Sequence, residues 1–351
     1  MRLKPAVIPM KLVGPIKIVG SVLQEELRVP LATFETPLWP STTRGARISR
    51  MTTGIQVEIL HDCMTRSIVL QAPNLDSVTK IVKDLENQKT AVAEVITTTS
   101  RFARLEDWNI RVVGNLLYIR FSIITGDASG HNMATKAADA ALSWLLKKYP
   151  ELKYVSISGN FCVDKKVSAV NSILGRGKYA IAEIVIPREV CKQHLRSLPE
   201  QIVNLHIKKN LIGSIIAGSL QSANAHFANI LLAFYLATGQ DAANIVEGSQ
   251  GIVHAELQGE DLYFSVTLPN IIVGTVGNGK NLPFVRDNLA LLGCNAENKT
   301  GVNAYRLAAI IAATVLCGEL SLLAAQTNQG ELVNSHIRLE RIAQSKEVSY
   351  V

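Results

Sequence analysis

The sequence predicts an α+β protein in which a large domain, built around a long central helix, is interrupted by a smaller split βαβ, ferredoxin-like unit. Three observations predict it. The middle third places short apolar strands and one-faced helices in the order strand-helix-strand-strand-helix-strand. The flanking segments hold two long apolar stretches, 211–240 and 307–325, broken only by isolated polar residues. At 351 residues, 48% hydrophobic and 19% charged, the chain is compact and globular and long enough for one to three domains.

The split unit occupies about 67–157. It opens with a strand over 67–71 and a helix over 75–87, whose Val78, Ile81, Val82 and Leu85 share one face. Strands over 102–113 and 116–124 are joined by Gly114-Asn115, a hairpin dipeptide. A helix over 130–148 repeats Met133, Ala137, Ala141 and Leu145 every four residues, and a strand over 153–158 closes the unit.

Residues 1–66 and 158–330 form the large domain, and 331–351 a polar C-terminal tail. The second part carries a strand over 179–186, a helix over 188–198, the central helix over 213–238, a strand over 262–268 and a helix over 302–325. Gln221, Asn224 and His226 interrupt one apolar stretch and Glu319 the other; a charge there is costly in lipid, so both read as buried core helices and no membrane contact is expected. Pro5, Pro9 and Pro15 cut the N-terminal apolar run, which reads as extended chain and not a signal peptide.

The net charge of +7 is scattered, with no basic block of the kind that marks a nucleic-acid tail. Polyanionic small molecules suit such a field better. Five cysteines, odd in number and without a CxxC pair, indicate neither a metal site nor a disulfide framework, and a reducing cytoplasmic setting is expected.

Residues 158–166, SGNFCVDKK, concentrate the most chemistry: a hydroxyl, an amide, a carboxylate and two adjacent lysines on a turn after a strand. Such a group polarises a carbonyl and grips an anion, although a solvated Asp-Lys-Lys turn has the same composition. With the following GRGK, the run resembles the catalytic-lysine segment of class I 3-hydroxy-3-methylglutaryl-coenzyme A reductases. Four further stretches resemble that family in the same order, from about residue 7 to residue 341.

VPLATFETPLWPSTTRGAR implies Glu35 as catalytic acid and Ser41, Arg44 and Arg47 as coenzyme A contacts, and Met64-Thr65-Arg66 implies Arg66 as a substrate ligand. TSRFARL and YIRFSIITGDASGHNM imply a cofactor site. Ser100, Arg101 and Phe102 fall at its adenosine end, where an arginine suits the 2′-phosphate of NADPH, and Asp127, Gly130 and Asn132 at its nicotinamide end. HIKKNLIGSIIAGSLQSANAHFANILLAFYLATGQDAAN implies Lys209 and Asn224 in the substrate site and Asp241 as catalytic aspartate. IIVGTVGNGKNL adds the loop glycines Gly277 and Gly279, and NSHIRLER implies that His336 protonates the departing thiolate. Ser158, Asp164, Lys165 and Lys166 complete the set, with Lys165 as the catalytic lysine.

The resemblance implies a four-electron reduction of the thioester of HMG-CoA to a primary alcohol, with two NADPH used in succession and CoA released, in the mevalonate pathway. It implies Lys165 stabilising the oxyanion, a buried Glu35 supplying a proton, Asp241 hydrogen-bonded to both, and a mobile C-terminal flap carrying His336. A homo-oligomer is implied too, because the family's active site forms between subunits.

Several positions depart from the family pattern. Pro37, Trp39 and Pro40 follow Glu35, and Thr43 stands where the family has Asn. Ser129 and His131 take the places of two methionines, Ile245 that of an Asn, and Lys280 that of a Thr; the Glu-Asn-Val-x-Gly dimer motif has no counterpart. Two other readings stay open at this level: a relative that binds CoA or nucleotide without turnover, and a nucleotide hydrolase suggested by Gly274, Gly279 and Lys280 in G-x-x-x-x-G-K spacing, although Asn281 replaces the Ser or Thr that Mg²⁺ needs.

Overall fold

The computed structural model describes residues 6–334 and Ile337. Nine strands join in one mixed network: β1 (Met10–Gly20), β2 (Gln24–Ala32), β3 (Ile55–Gln71), β4 (Arg104–Val113), β5 (Leu116–Ile124), β6 (Lys153–Ser156), β7 (Gly177–Ile186), β8 (Ile252–Gln258) and β9 (Asp261–Ile271). The strand β3 organises it. Its first half pairs parallel with β1 and antiparallel with β7, extending the order β2-β1-β3-β7-β9-β8. From Met64 onward the same strand pairs antiparallel with β5 and β6, giving the order β6-β3-β5-β4.

Each half covers its own core. Val57 at the start of β3 packs with β1, β7, β9 and the helices Phe227–Ala237 and Val302–Gln326. Ile68 and Leu70 near its end pack with α2 (Leu75–Leu85), α3 (Lys89–Thr99) and α4 (His131–Lys148). The apolar faces expected for α2 and α4 are buried: Val78, Ile81 and Leu85 on one, Ala137, Ala141 and Leu145 on the other. Gly114, at φ 59°, turns the β4–β5 hairpin in the left-handed conformation that its dipeptide requires.

Four expectations change. The strand expected over 67–71 is the end of a 17-residue strand, because Asp62 is buried in it against Lys178 (3.1 Å) and breaks the apolar alternation. Several unanticipated helices appear, of which two are the longest. The first, α1 (Leu38–Arg50), carries Pro40 within its first turn, where the missing N–H breaks no helical bond. It lies so close to Val302–Gln326 that a Cβ on Gly45 would fall 2.0 Å from the Cys317 carbonyl oxygen. The second, α3, is rich in β-branched residues and buries only Val92 and Ile96.

The central helix expected over 213–238 is broken: a wide helical turn His206–Gly213 and a short helix Ser214–Ile216 end at Gly218 (φ 67°), and only Phe227–Ala237 is the buried helix. The helix expected over 188–198 is likewise a turn, Arg188–Val190, that widens into Cys191–Leu195. The helix Val302–Gln326 is long and apolar enough to cross a membrane, but 94% of its most apolar window is buried inside the protein, as a core helix is.

Candidate active site

The chemistry-bearing loop links β6 to α5 (Ala169–Leu174). Three non-glycine residues in it, Asn160, Val163 and Lys165, have φ of 55°, 43° and 55°. A β-branched residue in that region is strained, and each such residue costs about 1–3 kcal/mol that surrounding contacts must offset. The contacts are specific. Thr65 Oγ1 donates to the Cys162 carbonyl (3.1 Å), Ser67 Oγ accepts from the Cys162 N–H (3.1 Å), and the Asn171 amide donates to the Val163 carbonyl (2.8 Å). β3 and α5 thus clamp the loop from both sides.

The loop presents Lys165 to Asp241, with Nζ 2.6 Å from Oδ2. That hydrogen bond raises the Lys165 ammonium above its ordinary value. Partial burial lifts the Asp241 carboxyl, but the Lys165 hydrogen bond and the Ala243 N–H outweigh it and hold the group low. The Lys165 main chain is fixed separately, by donation of its N–H to Glu247 Oε1 (3.2 Å).

Glu247 is fully buried and paired with the equally buried Arg176 at 2.7 Å, and accepts from the Asn244 amide at 3.0 Å. Burial pushes its carboxyl up against the pull of Arg176. Arg176 also reaches Asp164 Oδ1 (2.9 Å), whose other oxygen faces Arg66 at 3.9 Å. Lys165, Asp241, Asp164 and Arg66 are therefore brought together. Lys166 turns its Nζ to the Asp164 carbonyl (3.2 Å), and Ser158 bonds within the loop to Ser156.

Other expected residues form a second group. Glu35 lines a cavity of about 770 Å³ with Ser41, Arg44, Arg47 and His226. It is exposed, not buried as expected, because it sits in the turn between β2 and α1. Among the described residues it has no ion pair with Lys165 and no hydrogen bond to Asp241, whose second oxygen accepts from Ala243 instead (3.1 Å). Ser41 and Arg44 are tied to Ser321 on Val302–Gln326, and Arg44 pairs with Glu331 (2.8 Å). Burial lowers the Lys209 ammonium against the pull of Glu319. The Asn224 amide lies in the helix break, not on a helix, and donates to the Ser249 and Gly251 carbonyls, both at 3.1 Å. His336 lies outside the described residues, as does most of the tail expected to be mobile.

A third group surrounds the start of α4. Gly130 (φ 92°) precedes the helix and offers no side-chain cap to its first-turn N–H groups. The glycine loop packs against it: Ala128 bridges Val276, and a Cβ on Gly274 would fall 2.4 Å from the Ser129 nitrogen. Asp127 is committed differently from expectation, its carboxylate accepting from the Gly301 (2.7 Å) and Ala304 (3.0 Å) N–H groups and capping Val302–Gln326. Asn132, Gly277 and Gly279 are exposed on the same side. At the far end of α3, Ser100 Oγ accepts from the Phe102 N–H (3.2 Å), and the Arg101 guanidinium stacks on Phe102 at 4.6 Å. The hydrolase reading fails on Lys280: its ammonium is mostly buried, donates to the Gly239 carbonyl, and is pushed down to about 8.

Sequence reasoning assigned no role to Glu247, Arg176 or Asn244. GRGK drew attention to Arg176, but nothing local marks Glu247 as its partner, 71 residues away.

A family model described as hydroxymethylglutaryl-coenzyme A reductase matches residues 5–341. The 3-hydroxy-3-methylglutaryl-coenzyme A reductase of Aeropyrum pernix is 43% identical over 336 residues, covering 95% of this chain and 79% of that protein. That of Pyrococcus abyssi is 45% identical over 325 residues, covering 91% and 78%. Among solved structures, the class II reductase of Streptococcus pneumoniae bound to NADPH has a TM-score of 0.74 at 20% identity, covering 93% of this chain and 78% of that one; it shares the mixed α/β fold. With a family model matched over residues 5–341 and these relatives, the chain belongs to the hydroxymethylglutaryl-coenzyme A reductase family.

Proposed function

We propose that this protein reduces 3-hydroxy-3-methylglutaryl-coenzyme A to mevalonate and CoA with NADPH, in the cytoplasm, as a homo-oligomer. The observation that carries the reading is the Lys165–Asp241 pair, held at 2.6 Å on a strained, twice-clamped loop. NADPH, when bound, supplies the hydride. Lys165 faces the negative charge that develops on the thioester oxygen; a preorganised donor of this kind is worth about 10²–10³ in rate. Asp241 keeps the ammonium charged and aimed. Arg66, Lys166 and Ser158 beside the lysine loop, and Lys209 and Asn224 of the second group, are assigned to the acyl group and its carboxylate.

The residues around α4 fit the cofactor. The uncapped first turn after Gly130 suits an anionic or amide group, and Arg101, exposed over the Phe102 ring, suits a 2′-phosphate. The strand order β6-β3-β5-β4 with α2 and α4 supports an inserted ferredoxin-like cofactor domain, the remainder forming the substrate domain. Glu35 and His336 are assigned the proton to the aldehyde oxygen and to the thiolate. Arg47, exposed at the cavity rim, is assigned the phosphates of CoA, while Ser41 and Arg44 shape the wall.

Glu35 does not reach Lys165 within one chain, so the reading includes a second copy. An exposed apolar strip supports it: Ile207, Ile212, Ile215, Ile216 and Leu220 are 43–82% exposed on the segment where the central helix breaks. The decisive assay mixes the pure protein with HMG-CoA and NADPH, alongside Lys165→Ala. Two equivalents of NADPH oxidised per substrate, lost in a folded Lys165→Ala, is the expected outcome. Silence from a folded wild type with both NADPH and NADH overturns the reading.

A further inference from the structure

His131 occupies the first position of α4, where the resembling family carries methionine. Its Nε2 lies 3.8 Å from Asp164 Oδ1, just beyond hydrogen-bond reach. Both atoms are buried and neither has a hydrogen-bond partner; Arg176 approaches the same oxygen to 2.9 Å without the alignment of a hydrogen bond. A methionine there could make no charged contact with Asp164 at any pH. The substitution therefore adds a titratable group to the wall of the candidate substrate site.

We propose that His131 is a positioning residue that makes this protein's affinity for its carboxylate-bearing substrate depend on pH, acting through Asp164 on Arg66. The proposal deepens the reductase reading and rests on it for the identity of the substrate. With His131 neutral, the Asp164 charge is shared between Arg176 and Arg66, and Arg66 is partly occupied. With His131 protonated, the imidazolium closes the short gap to Oδ1 as a charge-assisted hydrogen bond. Asp164 then holds Arg66 less, and Arg66 turns its guanidinium to the substrate carboxylate.

The groups facing the imidazole set the direction. Asp164 and Lys165 face it from the loop, Arg176 from the residue before β7, and Asp241 from the turn after Phe227–Ala237. Arg66 on β3 reaches it through Asp164. Burial, then the positive charge of Arg176, hold the imidazole below its ordinary value of 6.5 against the pull of Asp164. The ring is neutral near pH 7 and takes its proton only below that value. A substrate carboxylate stays ionised over most of that range, with an ordinary value of about 4–5.

The test measures the dissociation constant of HMG-CoA by calorimetry, and its KM, from about pH 4.5 to 8.5, on wild type and on His131→Met, which reports the substrate carboxylate's own titration at the acid end. In wild type both constants are expected to fall roughly three- to tenfold as the pH drops through the His131 titration, the scale of one added charge at several ångströms in a half-solvated site. In His131→Met they stay flat above that acid end. CoA, which lacks the acyl carboxylate, serves as control and shows no such fall in either protein. The His131 ring proton, followed by NMR, should titrate at the same midpoint as the affinity.

Superimposable profiles for wild type and His131→Met overturn the proposal, as does a His131 titration with no change in affinity. If neither protein oxidises NADPH, the reductase reading fails by itself. The calorimetric pH dependence, with its CoA control, still decides the role of His131.

Discussion

The lysine loop and the Glu35 cavity hold their charges in opposite ways. Beneath Lys165, Arg176 and Glu247 are completely buried, and Val163 and Lys165, two of the three left-handed residues of the loop, are each held by a named side-chain contact. In the cavity, Glu35 is exposed, Arg44 is tied to the end of Val302–Gln326, and polar side chains share the wall with a few prolines, leucines and an alanine. A group that must meet developing charge at a fixed distance gains from being immobilised beforehand, because no reorganisation is then needed during reaction. A cavity that admits a long, flexible substrate gains from openness. The difference teaches that stability and chemistry are coupled at the first region and separable at the second.

That contrast can be broken most sharply at its buried end. Glu247→Ala removes one partner of a fully buried pair and is expected to destabilise the fold by about 3–5 kcal/mol in urea unfolding. Glu35→Ala, at an exposed turn, should move stability by no more than about 0.5 kcal/mol while still impairing turnover. Similar destabilisation in the two would erase the distinction.

Kinetics sharpens it next. Arg47→Ala is expected to raise KM for HMG-CoA by roughly tenfold with kcat nearly unchanged, the signature of lost uniform binding. Lys165→Ala acts on kcat instead. A fall in kcat for Arg47→Ala would place that arginine at the chemistry.

The smallest effect concerns pH. Asp241 is held low, so its contribution to the pair is lost only as the pH falls through that lowered value. Lys165 is raised, so its contribution is lost only as the pH rises through a value above 10.5. The Lys165–Asp241 pair should therefore leave log kcat level between about pH 5 and 9. A limb inside that window that survives in His131→Met and also in Glu35→Gln and His336→Gln would mean the pair is not charged as described.

Much of this was legible in the sequence, and the illegible parts share a cause. The apolar faces of α2 and α4 and the Gly114 turn follow from local periodicity and backbone preference, so they could be read directly. The helices α1 and α3 could not: one carries Pro40 and Gly45, the other a β-branched run, and tertiary packing overrides both. The apolar run beyond 211 read as one helix because composition alone does not show where the chain stops being buried. Asp127 read as a ligand contact and is a helix cap, because its partners, Gly301 and Ala304, lie more than 170 residues away.

By itself the sequence determined which residue types line up in which order, and hence the family and the candidate lysine, aspartate and glutamate. The resemblance also implied that Lys165 meets Asp241; only the tertiary structure decided that Glu35 stands apart from them within one chain, that Arg176 and Glu247 are buried beneath them, and that His131 faces Asp164. Order along a chain is a local property, whereas charge pairing and desolvation depend on distances that exist only after residues far apart in sequence are packed together.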